Sequence, residues 1–161
     1  MFRKKYRKYL SSDEALIKLR HYCAYQERCH QEVRYKLIDL GIRGNDLEEI
    51  IATLVEEGYL DEERFARSFA RGKLRNNGWG KYKILQALRQ KKISEYNLNK
   101  AQEELNVDEY QRVLTSLLKK KIKSLQEDNP YVVRQKLYKF GSARGFESSL
   151  LNEVLNEVIE Q

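Results

Sequence analysis

Three stretches of this chain open a helix in the same way, and that recurrence restricts it to a helical, repetitive fold. Cys29, Gly80 and Asn129 each stand at a helix start. Val33, Ile84 and Val133 follow four residues on, and Leu37, Leu88 and Leu137 four further. Apolar side chains at i and i+4 share one helical face. Asn129 is a good N-cap with Pro130 behind it at the first helical position. At Gly80, Trp79 precedes the cap and Ile84 is the fourth helical residue, the spacing of a hydrophobic staple. Cys29 is a poor cap, so the first copy is the weakest of the three.

A second apolar stripe follows each of these helices. Leu47, Ile50, Ile51, Leu54, Val55 and Leu151, Val154, Leu155, Val158, Ile159 both run i, i+3, i+4, i+7, i+8, and Leu98, Ala101, Leu105 form a thinner middle copy. Each is also preceded by a helix. Ala15, Leu16, Leu19 and Cys23 mark the first. Asp61 caps the second, with Glu62 and Glu63 suited to its positive end, and Asp108 begins the third. The pattern predicts an all-α chain of three tandem three-helix repeats, a basic arm over 1–11 and repeats over 12–57, 58–106 and 107–161. The third copy carries four extra residues near Phe140 to Phe146. A three-helix unit of about 50 residues has little core of its own, so neighbours must share apolar surface, and an elongated, curved body is the expected result. One proline in the sequence agrees with helices throughout.

Charge points to function. From Arg64 to Lys92 there are ten Lys or Arg and no Asp or Glu, in a chain of net charge +7. Arg64, Arg67, Arg71 and Arg75 are spaced 3, 4 and 4, which holds them on one stripe about 80° wide. A solvated helix face normally mixes signs; no carboxylate stands among these arginines along their helix, so they are candidates to bind an acidic partner. Lys81 and Lys83 extend the candidate face. Arg89, Lys91 and Lys92, like Lys119, Lys120, Lys121 and Lys123, lie at helix ends where the dipole alone favours positive charge. The arm Arg3, Lys4, Lys5, Arg7, Lys8 alternates with Phe2, Tyr6 and Tyr9, a composition suited to phosphates and stacked bases, so it is a candidate nucleic-acid contact.

Other chemistry is excluded by spacing. His21 and Cys23 diverge by about 200° on one helix, and with Cys29 and His30 they match no short zinc pattern. Gly78-Trp79-Gly80-Lys81 lacks the spacing and the Ser/Thr of a phosphate-binding loop. No catalytic constellation is present, and no cofactor, metal or membrane span is expected. Two cysteines form no disulfide framework, which suits the cytosol.

The stretch Gly58-Tyr59-Leu60-Asp61, Arg64-Phe65-Ala66, the basic helix, the Gly-x-Gly break and Ile84, Leu88, Ile93 resembles the RecX regulatory proteins. The first copy matches through Glu32-Val33, Lys36-Leu37 and Gly41-Ile42, the third through Lys136-Leu137, Phe140 and Arg144-Gly145-Phe146. The resemblance covers roughly residues 12–161. It implies three tandem three-helix repeats and a non-enzymatic inhibitor of RecA lying in the groove of the RecA–DNA filament. It further implies suppression of ATP hydrolysis, strand exchange and coprotease activity, and so a role in DNA repair and the SOS response. Two positions depart from the family pattern: Cys29, where a serine-like cap is more usual, and Lys92, where glycine is common. No catalytic residue transfers, because the family has none. A monomer acting on RecA is the expectation, with a direct DNA-binding module of tandem three-helix units as the alternative.

Overall fold

The structure is a computed structural model that describes residues 10–160, so the basic arm Arg3, Lys4, Lys5, Arg7, Lys8 lies outside the described residues. Among those described there are nine helices and no strand: α1 Ser12–Tyr25, α2 His30–Asp39, α3 Gly44–Glu56, α4 Glu62–Asn77, α5 Lys81–Gln90, α6 Glu95–Glu103, α7 Val107–Ser124, α8 Pro130–Ala143 and α9 Ser148–Ile159.

The repeat is visible in the helix ends. Cys29, Gly80 and Asn129 are the N-caps of α2, α5 and α8. The amides of Val33, Ile84 and Val133 donate back to the carbonyls of those three caps at 3.0–3.2 Å. Only Asn129 also caps with its side chain, which accepts from the Tyr131 amide at 3.0 Å. Cys29 makes no side-chain cap bond; its thiol donates instead to Glu32 at 3.3 Å. The three helices also stop alike. Gly41, Lys92 and Gly145 take positive φ values of 84°, 58° and 94°. The amides of the apolar residues that follow, Ile42, Ile93 and Phe146, then reach back to the carbonyls of Leu37, Leu88 and Gly141. This is the Schellman closure, which satisfies carbonyls left over at a helix end. α8 runs 14 residues against 10 in α2 and α5, so the four extra residues of the third copy are one added helical turn.

One expectation needs correction. α7 starts at Val107 and is capped by Asn106, whose side chain accepts from the Asp108 and Glu109 amides at 3.0 and 3.1 Å; Asp108 is inside the helix. Val133 holds the same helix position as Val33 and Ile84, but those two are fully buried and Val133 is half-buried. The reason is local: Val133 lines an open cleft with Ile122, Pro130, Val158 and Ile159.

The chain divides into two compact units, Met1–Phe65 and Ala66–Gln161. In the first, α1, α2 and α3 pack on one another around Ala15, Leu19, Val33, Leu37, Ile50 and Leu54. In the second, α5 packs on α6, and α7, α8 and α9 pack together. Its core includes Leu74, Ile84, Leu88, Leu98, Leu114, Leu118, Leu137 and Leu151, each with at most 1% of its surface exposed. Burying each such side chain contributes about 1.5–3 kcal/mol, so packing of the apolar stripes, more than intrinsic helix propensity, holds these short helices.

Candidate partner-binding face

The arginines of α4 do not stand unopposed. Arg64 Nε donates to Glu27 at 2.6 Å, and its Nη2 to the Gly58 carbonyl at 2.9 Å, which ties the α3–α4 turn to the helix it feeds. In the second unit, Arg67 bridges Glu103 at 3.0 Å and Glu104 at 3.1 Å. Arg71 reaches the other oxygen of Glu104 at 3.0 Å, and Arg75 holds Glu109 with two bonds, one of 3.1 Å. The unopposed stripe expected from the sequence is therefore corrected. The carboxylates come from other elements, the α1–α2 loop, the end of α6 and the start of α7, 33 to 37 residues away in the chain, where spacing along one helix cannot reveal them.

The acids respond to this neighbourhood. Burial raises the Glu104 carboxyl, but hydrogen bonds from Arg71 and Arg67 outweigh it and hold the group below its ordinary value. The hydrogen bond from Arg75 does the same for Glu109. Arg67, Arg71 and Arg75 thus fasten α4 to the end of α6 and the start of α7.

Lys81 and Lys83 are placed differently. Lys81 opens α5, and its amide donates to the Tyr110 hydroxyl at 2.9 Å; its ammonium lies 5.6 Å from the Tyr82 ring centre. Tyr110 in turn donates to Glu147, and burial, then this bond, push its phenol far above the ordinary range. The Lys83 ammonium lies 4.7 Å from the centre of the Trp79 ring, and Lys73 of α4 lies at the same distance from that ring. Two ammonium groups sharing one indole are favoured by the ring's quadrupole. Spacing along the chain assigns Trp79 to a staple and gives Lys73 no role. The signal available was Gly78: its φ of +64° lets the Trp79 amide reach back to the Lys73 carbonyl at 3.0 Å, which folds the ring onto the helix end.

Among the described residues no three His, Cys, Asp or Glu side chains converge to hold a metal, and no helix is long and apolar enough to cross a membrane. Cys23 and Cys29 are buried and form no disulfide, and burial pushes the Cys23 thiol up to about 11.

The fold and the face together define a class: an all-helical protein of tandem three-helix units that carries clustered basic side chains. Comparison with known proteins narrows it. The model of the second three-helix domain of RecX matches residues 61–101, and that of the third matches residues 108–155. The regulatory protein RecX of Prosthecochloris aestuarii is 31% identical over 148 residues, covering 91% of this chain and 94% of that protein. The regulatory protein RecX of Oceanobacillus iheyensis is 25% identical over 138 residues, 86% of this chain; the chain spans only 51% of that longer protein. In fold, the crystal structure of RecX from Lactobacillus salivarius superimposes with a TM-score of 0.84 at 20% identity, covering 93% of this chain and 97% of that one. A second crystal structure of a regulatory protein RecX gives 0.81 at 22% identity, over 90% and 73%. The chain belongs to the RecX family.

Proposed function

We propose that this chain regulates the RecA–DNA filament. It binds in the filament groove and lowers the ATP hydrolysis, strand exchange and coprotease activity of RecA, with no catalysis of its own. The observation that carries this reading is family membership along the chain, above all the 31% identical relative matched over 91% of it, itself called a regulatory protein. The three repeats, 12–57, 58–106 and 107–161, act as linked footholds. Linked footholds raise affinity through effective concentration, so a monomer can hold several RecA subunits at once. Lys81 and Lys83 meet the acidic filament directly. Arg67, Arg71 and Arg75 of the second unit, and Arg64 of the first, act through their carboxylate partners, as parts of paired and ordered surfaces. The site of action is the cytoplasm, where the filament forms.

Co-sedimentation tests the reading. The protein should pellet with RecA–single-stranded DNA filaments beyond what it does with DNA alone, and stay in the supernatant with RecA alone. Equal pelleting with naked DNA and with filaments would replace the filament by the nucleic acid as the partner.

A further inference from the structure

Positive charge left without a carboxylate lies on α7. Arg112, Lys119, Lys120 and Lys123 are exposed, and among the described residues none of them forms an ion pair. Their spacing, with Ser116 between, is i, i+4, i+7, i+8, i+11, one face of a helix about 16 Å long between the end residues. The helix dipole accounts for Lys123 in the last turn of α7. It does not account for Arg112, which lies towards the positive end. The neighbouring Glu109 is already held by Arg75. The described residues lining this face include one carboxylate, Asp108, and it sits in the first turn where the dipole favours it.

The repeat explains how this face came to be free. Arg20, Arg71 and Lys120 each stand nine residues before the second-helix caps Cys29, Gly80 and Asn129. In the first two copies this arginine is bound by the glutamate that ends the third helix: Arg20 by Glu57 at 2.6 and 2.8 Å, Arg71 by Glu104 at 3.0 Å. In the third copy α9 also ends on a glutamate, Glu160. There the corresponding residue is a lysine, and Lys120 pairs with no carboxylate among the described residues.

From this we infer that the α7 face is a binding surface for the sugar–phosphate backbone of duplex DNA, independent of sequence. Every side chain lining the face is polar or charged, with Thr115 and Ser116 between the cations; the apolar cleft of Ile122, Pro130, Val133, Val158 and Ile159 adjoins it at Lys119 and Lys123. Protein interfaces have apolar cores and are depleted in lysine, whereas nucleic-acid interfaces are polar and strongly basic. Among the described residues no aromatic side chain lines the face, so bases are not stacked on it. Over about 16 Å, one strand of a duplex presents roughly five phosphates, which the four cations and two hydroxyls can meet.

The test is fluorescence anisotropy of the full chain with a labelled 20-base-pair duplex from 50 to 200 mM salt. The variant is Arg112→Ala, Lys119→Ala, Lys120→Ala, Lys123→Ala. Its log–log salt slope should be shallower than that of the unaltered protein by about 0.9 for each phosphate no longer neutralised, and its affinity at low salt should fall at least about tenfold. Thermal melting of the variant should match the parent; if it does not, Lys119→Gln with Lys120→Gln should show about half the change in slope. An unchanged slope overturns the assignment. So does equal displacement of the duplex and of polyglutamate of matched charge, which would mark an acidic protein as the occupant. Inhibition of RecA by the unaltered protein is read separately, so the failure of either idea leaves the other standing.

Discussion

Gly80 and Gly145 meet backbone against backbone: a Cβ on Gly80 would lie 2.4 Å from the Gly145 carbonyl carbon. The Gly80 amide donates to the Arg144 carbonyl at 2.7 Å, and the Tyr82 amide to the Gly145 carbonyl at 3.0 Å. The open amides at the start of α5 are thus satisfied by the closing turn of α8, which joins the second and third copies. The glycine break in the sequence exists because any side chain would hold these two helix ends apart.

Gly80→Ala should therefore destabilise the protein by about 2–3 kcal/mol, since backbone atoms cannot yield as a side chain does. Thermal unfolding should fall by roughly 5–10 °C at this chain length. Gly72→Ala is the control. Its Cβ would meet nothing nearer than Asn76 at 3.9 Å, inside a helix, so it should raise stability by about 0.5–1 kcal/mol.

Lys92→Gly should stabilise the fold. Lys92 is exposed and holds a φ of 58°, where Gly41 and Gly145 do the same work in the other copies. An L-residue in that region costs roughly 1 kcal/mol, so a gain of up to about that size is expected in urea titration. No change in midpoint would mean that the lysine side chain compensates the strain.

Arg67→Glu with Arg71→Glu should cost stability, contrary to what spacing along α4 alone suggests. Both guanidinium groups hold Glu104, and reversal places like charges against it. The arginines are partly exposed, so solvent screens the effect; a loss of about 1–3 kcal/mol is expected. Lys81→Gln with Lys83→Gln should weaken filament binding while moving the melting temperature by only a few degrees.

Stability should fall on acidification below pH 4.5. Glu48, Glu57, Glu104 and Glu109 all sit below the ordinary value of 4.5 in the folded chain because arginines hold their charged forms. The folded state therefore releases their protons more readily than the unfolded one. The stabilisation is complete above the unfolded value and is lost as pH falls through the folded ones. Glu62, raised by burial and lowered in part by His30, opposes the trend without reversing it. Melting temperatures between pH 6 and pH 3 should decline, most steeply below about 4.5.

What the sequence made legible was local. The caps Asn129 and Asp61 and the i, i+4 pairs Val33–Leu37 and Ile84–Leu88 depend on residues within a turn or two of each other, so the nine helices of the described residues could be anticipated, while Lys92 stood out only against the family pattern and its positive φ came from the structure. The added turn of α8 was visible as four extra residues, since their placement at a helix end follows from the closure at Gly145. The environment of the basic face was not legible. Glu104 meets Arg67 from 37 residues away, and Glu147 meets Tyr110 across the same distance. Those partnerships depend on how helices pack, which no periodicity along one helix records. The order of importance among the cations changed for the same reason: the arginines of α4 are paired, and Arg112 and Lys120 on α7 are not.

The most direct test of the central claim is ATP hydrolysis by RecA on single-stranded DNA, titrated with this protein. Hydrolysis should fall at amounts below one protein per RecA monomer, because tandem footholds let one copy constrain several subunits. The inhibition should weaken as salt rises and screens the basic face over roughly 8–10 Å. Unchanged hydrolysis at equimolar protein, under conditions where the protein binds DNA alone, would contradict the account.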